Sequence, residues 1–191
     1  PVQRLASHVH SWNGECDRRL VRLHDFIYGS PDLVLTGVLS DLDADALELH
    51  LWPDADFNGD IMHAKSTGGM FLELAGQGCR GFPLCYGCRK MDGASLHTAE
   101  AETVCLATYT RNEALPMQAL FSLLLGRPIK LVAHEDNEAT IAIVKKGYSP
   151  SLRCLPRTQR CSLDVAHDTF FGPVPVGFGR CELRFVGTAE Q

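Results

Sequence analysis

The chain has 191 residues, 45% of them hydrophobic and 21% charged, and a formal net charge of −5. This is the composition of an ordinary globular protein, and the length predicts one domain with an appended arm. The excess of acids argues against a protein whose main task is to grip nucleic acid, because phosphate binding depends on Lys and Arg.

Eight cysteines are spread along the chain, several of them in apolar surroundings such as Val104-Cys105-Leu106. This pattern favours reduced, buried thiols in an intracellular protein over the disulfides of a small secreted chain. No apolar run approaches the ~18 residues that cross a bilayer, and no secretory leader is visible. We therefore predict an intracellular protein without a membrane-spanning segment.

The first part of the chain, residues 1–45, is predicted to be an N-terminal arm and a linker helix, followed by a domain over residues 46–191. The helix is expected to begin at Asp17, which can cap it. An apolar stripe at helical spacing is formed by Leu20, Leu23, Phe26 and Ile27. A short strand is predicted at Leu33–Leu35.

The alternating segment Leu47–Leu51 predicts a strand with one buried face, and it leads into the acidic stretch Trp52–Asp60. Asp54 lies at the end of this strand, and Asn58-Gly59 is expected to turn the chain. Pro53 is expected to bend or fray the strand, because proline cannot donate to a ladder.

Two more strands, Met70–Leu74 and Phe82–Cys88, follow with short links, which favours an antiparallel meander. The third strand carries Cys85-x-x-Cys88. Residues three apart in a strand point to opposite faces, and no second pair follows at zinc-finger spacing. Buried packing is therefore favoured over a metal or redox role, and a zinc or redox protein built on Cys79, Cys85 and Cys88 is a third alternative.

Two later segments also bring a carboxylate to the end of an element, one at the start of a helix and one at the close of a strand. Thr98 is expected to cap a helix that carries Glu100 and Glu102, where acids are also favoured by the helix dipole alone. A buried strand, Ile129–Ala133, leads to Asp136, and open α/β sheets place their ligands at such strand ends. Asp136 is equally suited to cap the helix that follows it. Three acids from three separate elements suggest a metal site.

The remaining elements complete the fold prediction. Met117–Leu125 is predicted as an apolar, buried helix, Ser162–Phe171 as a helix, and Cys181–Val186 as the last strand. A meander followed by strand–helix crossovers predicts an α/β fold, with a five-stranded mixed sheet of three antiparallel strands and two parallel additions, and with helices packed on it. The first strand would then lie centrally beside the fourth, close enough to bring Asp54 near Asp136.

Four segments, in this order, resemble the ribonuclease H domain of copia-type retrotransposon polyproteins. They are Asp54–Asp60, Lys65–Gly69, Thr98–Glu102 and Glu135–Ile141, and the family pattern reads roughly SDADWAGD, KSTSG, STEAE and DNQSAI. Arg157-Thr158 is similar to a further family stretch, and the likeness covers nearly everything from Asp17 to the end. Four motifs in order are a far more specific signal than one.

The resemblance implies a ribonuclease H fold and a metal-dependent endonuclease that hydrolyses the RNA strand of RNA–DNA hybrids. Carried over by position, it implies that Asp54, Glu102 and Asp136 are the catalytic acids and the ligands of Mg²⁺ or Mn²⁺. Glu102 is preferred to Glu100 because the family's acid is the second of its pair. Carboxylates suit Mg²⁺, and two ions ~4 Å apart can activate a water and stabilise the leaving oxygen.

The chain also departs from the family pattern. Ser162 stands where many relatives have a fourth acid, which leaves Asp164, two residues on, as the substitute metal ligand, and Glu138 stands where relatives have Gln. The rival hypothesis is a catalytically inactive ribonuclease H-like domain that serves as a structural or interaction subunit of a larger assembly, with proteins as its partners. A large exposed apolar patch would favour that rival.

Overall fold

The computed structural model describes residues 2–39, 45–60, 65–76 and 81–187, with residues 58–60 as backbone alone. The chain divides into two compact units, Pro1–Thr36 and Gly37–Gln191. Cys79, one of the three cysteines of the zinc or redox alternative, lies outside the described residues.

The first unit contains α1 (Val2–Ala6), a short 3₁₀ turn (Val9–Ser11) and α2 (Gly14–Gly29). The predicted cap at Asp17 was wrong, because α2 begins at Gly14 after an Asn13 cap, whose side chain accepts two helical amides. The Asp17 carboxylate instead accepts the Trp12 indole N–H at 2.8 Å. The predicted strand at Leu33–Leu35 is also wrong, because these residues are irregular and exposed.

The second unit is a layer of helices on one sheet. Its strands are β1 (Glu48–Asp60), β2 (Lys65–Ala75), β3 (Phe82–Lys90), β4 (Lys130–Glu135) and β5 (Cys181–Phe185). Its helices are α3 (Thr98–Tyr109), α4 (Leu115–Leu124), α5 (Glu138–Lys146), α6 (Leu155–Thr158) and α7 (Leu163–Phe171), with a 3₁₀ turn at Pro150–Leu152.

The strand order is β3-β2-β1-β4-β5, with β1, β2 and β3 antiparallel and β4 and β5 parallel to their neighbours. The predicted fold class, a five-stranded mixed sheet with helices packed on it, is confirmed. β1 lies centrally between β2 and β4, as predicted. Because β4 is the inner parallel strand, almost all of its residues are buried, from Leu131 to Glu135.

β1 and β4 separate after four paired residues, and this opens the edge where the acids lie. Pairing covers Glu48–Leu51, whereas β1 continues beside β2 with Pro53 opposite Met70. Pro53 does not fray the strand, because it lies beyond the part of β1 that pairs with β4 and needs no ladder bond on that side. Asn58-Gly59 does not end β1 either, since the strand runs to Asp60 with an irregular register after Asp56.

The core lies between the sheet and the helices. Leu49, Leu51 and Leu72 alternate with more exposed residues along β1 and β2, and they belong to the same apolar cluster as Leu106 of α3 and Val144 of α5. This packing holds α3 against β1. The alternation of apolar residues along the strands selects the face on which α3 packs, and it thereby positions the acids of α3.

α3 continues through a π-helical turn at Thr110–Ala114 into α4, with Pro116 in the first turn of α4, where a missing amide is tolerated. The predicted burial of this second helix was wrong. Gln118 is its one fully buried residue, while Leu123 is 80% exposed, because a single stripe of α4 faces the core.

None of the described helices is both long and apolar enough to cross a membrane. The described cysteines are free thiols, and four of them, Cys16, Cys105, Cys161 and Cys181, are buried as predicted. Cys88 and Cys154 are exposed instead, since they lie on an edge strand and in a surface loop.

Candidate active site

The three predicted acids reach the same edge of the sheet from three elements. Asp54 lies on β1 and is exposed, Glu102 lies in the first turns of α3 and is only 5% exposed, and Asp136 follows β4 and is half-buried. The charges of Asp54 and Asp136 both raise the pKa of Glu102, which places the three carboxylates near one another. We call Asp54, Glu102, Glu135 and Asp136 the acid cluster.

Hydrogen bonds between α3 and the sheet bring Glu102 to Asp54. The Cys105 thiol donates to the backbone carbonyl of Asp54 at 3.2 Å and to that of Gly69 at 3.4 Å. One turn later, the Tyr109 hydroxyl donates to the carbonyl of Gly68 at 2.9 Å. Residues i, i+3 and i+4 share a helix face, so Glu102 lies on the same face of α3 as Cys105 and points towards β1.

Glu100 has a different task from Glu102. Thr98 was the predicted cap, but His97 caps α3, and its Nδ1 accepts the Glu100 amide at 3.1 Å. The Glu100 carboxylate in turn accepts the Leu96 amide at 2.7 Å. This reciprocal pair resembles a capping box and fully explains Glu100 as a helix-start residue.

Asp136 does not cap the helix that follows it, which was one of the two alternatives. The Asn137 side chain caps α5 instead, accepting the amides of Ala139 at 3.0 Å and Thr140 at 3.1 Å. The Thr140 hydroxyl donates across to the Ala99 carbonyl at 3.3 Å. This bond ties the start of α5 to the start of α3 and holds Asp136 beside Glu102.

The cluster is electrostatically crowded. Burial, followed by the charges of Asp54 and Asp136, raises the pKa of Glu102 to about 8. Burial and then the Asp136 charge also raise the pKa of Asp54. The Ala55 amide donates to both carboxylates and opposes these shifts, but it does not overcome them. Several acids with few compensating donors favour either bound protons or a bound cation.

Glu135 is a fourth member that the sequence reasoning did not single out. It is 1% exposed at the end of β4, and burial followed by the Glu102 charge raises its pKa to about 9. One oxygen, Oε1, accepts the Asn137 amide at 3.3 Å. The signal in the sequence was a glutamate that ends an otherwise apolar strand, directly before Asp136.

The donor set fits a hard divalent cation. The Oε2 atoms of Glu102 and Glu135 are buried without a hydrogen-bond partner, and carboxylate oxygens are the ligands that Mg²⁺ prefers. Within the described residues, no three His, Cys, Asp or Glu side chains are already arranged to hold a metal ion. The chemistry of the cluster therefore suits a cation, whereas its side chains do not form a closed set of ligands.

No protein-family model and no curated protein sequence matches the chain. The solved structures to which it is similar include ribonuclease H1 from the archaeon Halobacterium salinarum NRC-1, with 15% identity and a TM-score of 0.44 over 75% of this chain and 88% of that one. Ribonuclease H1 LC11, from a compost metagenome, has 12% identity and a TM-score of 0.45 over 75% and 86%.

The N-terminal ribonuclease H domain of rv2228c from Mycobacterium tuberculosis, solved as a fusion with maltose-binding protein, has 13% identity and a TM-score of 0.43 over 75% and 85%. Likeness of this degree leaves the chemistry of the chain to be judged from its own residues.

Asp164, the predicted substitute for a fourth acid, is not among the groups that shift the pKa of Asp54, Glu102 or Glu135. It is exposed in the first turn of α7, where an acid suits the helix dipole. Ser162 lies at the N-cap position of α7. It lines a cavity together with Arg111, and none of the four residues of the acid cluster lines that cavity.

Proposed function

We propose that the chain is a metal-dependent endonuclease of ribonuclease H type, which hydrolyses the RNA strand of RNA–DNA hybrids and derives from a copia-type retroelement. The observation that carries the activity is the acid cluster, in which three separate elements bring carboxylates to one sheet edge. The four motifs that occur in family order support the retroelement origin. An intracellular location remains part of the proposal.

Asp54, Glu102 and Asp136 would hold Mg²⁺ or Mn²⁺. The ions would supply an activated water and stabilise the leaving oxygen of the phosphodiester. Glu135 lies behind Glu102 with its own unpartnered oxygen, and it holds negative charge or a proton next to the ligands. The Cys105 and Tyr109 anchors keep α3 in place against β1, which fixes Glu102 relative to Asp54.

The net charge of the chain bears on how such a substrate would be held. With a net charge of −5, the protein has little general attraction for phosphates. A hybrid would therefore be held locally, through the metal ions and through contacts to 2′-hydroxyls and groove shape rather than to base sequence.

The test is cleavage of a labelled RNA–DNA hybrid with Mg²⁺ or Mn²⁺, by the parent chain and by Asp54→Asn. The proposal expects metal-dependent cleavage of the RNA strand by the parent and its loss in the variant. A single-stranded RNA of the same sequence is the control substrate, since cleavage of both would indicate a contaminating ribonuclease. Absence of cleavage by folded parent at every metal concentration would reject the activity.

A second candidate, a catalytically inactive ribonuclease H-like subunit of a protein assembly, is favoured by the apolar residues that α4 exposes. Leu123 is 80% exposed and Leu124 67%. Phe178, in the loop between α7 and β5, is 58% exposed and lines a cavity of about 380 Å³ together with Leu123. Exposed apolar surface of this kind is typical of a protein interface.

Sedimentation of the parent chain and of Leu123→Glu over a range of concentrations tests this candidate. The subunit hypothesis expects an association that Leu123→Glu abolishes and Asp54→Asn leaves unchanged. A parent chain that stays monomeric and cleaves the hybrid would exclude it.

A further inference from the structure

A second cavity, of about 300 Å³, lies between the π-helical turn that follows α3 and the start of α7. Arg89, Arg111 and Arg160 line it, together with one carboxylate, that of Asp92. Arg111 Nε donates to Asn112 Oδ1 and Arg89 lies over the Tyr109 ring, but none of the three arginines forms an ion pair with an acid in the described part of the chain. A concave surface with more guanidinium groups than carboxylates favours an anion. We call it the arginine cavity.

The wall of the cavity buries a polar group that has no hydrogen-bond partner. Thr110 lines the cavity, is only 3% exposed, and its hydroxyl oxygen has no hydrogen-bond partner. Thr110 opens the π-helical turn. Buried hydroxyls are normally paired, and an unpaired one needs an explanation such as a missing ligand. A turn of π-helix inside an α-helix is itself frequent at functional sites.

The wall of the cavity is held in place by its own hydrogen bonds. The Gln159 side chain, buried between two loops, accepts the Gly93 amide at 3.0 Å and donates to the Ala94 carbonyl at 3.5 Å. Arg160, the next residue, has a positive φ of 54°, a conformation that non-glycine residues rarely adopt. Uncommon backbone geometry in a well-anchored segment is often found at binding sites.

The arginine cavity has an apolar side as well. Leu115, Val165 and Phe170 line it opposite the polar groups. Its volume is at the lower end of the ~300–1,000 Å³ range of ligand pockets and is more than a bare phosphate ion needs. The combination suits a ligand with an anionic head and a compact apolar body.

We propose that the arginine cavity binds a small phosphomonoester, with its phosphate between the arginines and the Thr110 hydroxyl and its organic part against the apolar wall. A phosphomonoester is favoured over a carboxylate because three guanidinium groups and a hydroxyl provide more donors than two oxygens use. This site is separate from the acid cluster, and the inference does not depend on nuclease activity.

Calorimetric titration with phenyl phosphate, phenol and inorganic phosphate tests the proposal. We expect saturable binding of phenyl phosphate, with affinity at least about tenfold higher than for either other probe, since each lacks one half of the ligand. Inorganic phosphate binding as tightly as phenyl phosphate would overturn the role of the apolar wall, and no saturable binding of phenyl phosphate would overturn the site.

Variants locate the binding. Arg111→Gln is expected to weaken phenyl phosphate binding about tenfold, the usual cost of one charge-assisted hydrogen bond. Thr110→Val, which keeps the side-chain shape, should weaken it severalfold and leave thermal unfolding unchanged or raised. Arg153→Gln, an exposed arginine outside the cavity, and Asp54→Asn, in the acid cluster, should bind as the parent does. Equal affinity in Arg111→Gln and Arg153→Gln would contradict the proposal.

Discussion

Two clusters of like ionisable groups occur on the same pair of strands. On β1 and β4, His50 and His134 approach with Nδ1 and Nε2 2.8 Å apart, and the Trp52 ring stacks on His134 with centroids 3.8 Å apart. Asp54 lies four residues after His50 on β1, and Glu135 directly follows His134 on β4. We call His50, Trp52 and His134 the histidine cluster.

Burial favours the neutral form of the groups in both clusters. It does so by lowering the pKa of the histidines and by raising the pKa of the glutamates. It lowers the pKa of His50, and, with the His50 charge, it lowers the pKa of His134 to about 4. In the acid cluster it raises the pKa of Glu102 to about 8 and that of Glu135 to about 9. In both clusters, the loss of solvent thus penalises the charged form of the buried groups.

The clusters differ in whether their polar atoms are satisfied. The histidines bond to each other, His50 lies 3.5 Å from Glu48, and the Trp52 indole donates to Glu73 at 3.1 Å. In the acid cluster, Glu102 and Glu135 each keep a buried oxygen without a partner. A satisfied cluster stabilises the fold by itself, whereas an unsatisfied one is stabilised by a ligand. We therefore propose a structural role for the histidine cluster and a catalytic role for the acid cluster.

The largest expected effect separates Glu102 from its neighbour Glu100. Glu102→Gln should lower hybrid cleavage by more than ~100-fold, because the loss of an outer-shell partner of a metal already costs up to ~100-fold and Glu102 would be a direct ligand. Glu100→Gln should retain cleavage and lose at most about 1 kcal/mol of helix stability, because Gln can still accept the Leu96 amide and only the charge at the helix start is lost. Hybrid cleavage and thermal unfolding of both variants check this. Equal loss of cleavage in Glu102→Gln and Glu100→Gln would contradict a catalytic role for Glu102 and a capping role for Glu100.

The next effect concerns the histidine cluster. Trp52→Ala should lower the free energy of unfolding by about 2–3 kcal/mol, less than the ~3–5 kcal/mol for a fully buried ring, because Trp52 is half-buried. Cleavage by the folded fraction should be unchanged. Urea unfolding and cleavage at equal folded concentration measure the two quantities. A stable but inactive variant would show that this cluster is part of the chemistry.

The pH dependence of stability sharpens the comparison. The ordinary pKa of a glutamate is 4.5, whereas that of Glu135 in the folded chain is about 9. Between these values the folded state holds a proton that the unfolded state has lost, so the free energy of unfolding falls as pH rises and levels off above about pH 9. One such group contributes a slope of at most about 1.4 kcal/mol per pH unit.

Glu135→Gln removes that slope. In the presence of a chelator, the variant should be more stable than the parent at pH 8 by at least about 1.4 kcal/mol and equally stable at pH 4.5. Urea unfolding across this range measures it. A variant less stable than the parent at pH 8 would mean that the Glu135 carboxylate is paired rather than strained.

The smallest effect is expected at Asp164. Asp164→Ala should cost about 0.3–1 kcal/mol through the dipole of α7 and should leave hybrid cleavage within twofold of the parent. Ser162→Ala serves as a matched change at the N-cap position. Loss of cleavage in Asp164→Ala alone would place that residue in the acid cluster after all.

Local patterns predicted more of the fold than of the site. Alternation in Leu47–Leu51 placed β1, and the order of elements placed it beside β4, because side-chain period and connection rules are written in the sequence. The same rules misjudged α4, whose apolar residues exceed the one stripe that can face the core. They also missed the caps Asn13 and His97 and predicted nearby residues instead, since several neighbouring residues can accept the same amides.

The sequence predicted the sheet, the arrangement of its strands and, through the family resemblance, the three acids at its open edge. The folded structure was needed to show the surroundings of each carboxylate. Glu100 is occupied by its cap, Glu135 is drawn in by burial, and Asp164 is left on the surface. The physical reason is that desolvation and hydrogen-bond satisfaction depend on neighbours far apart in the chain, and no local pattern records them.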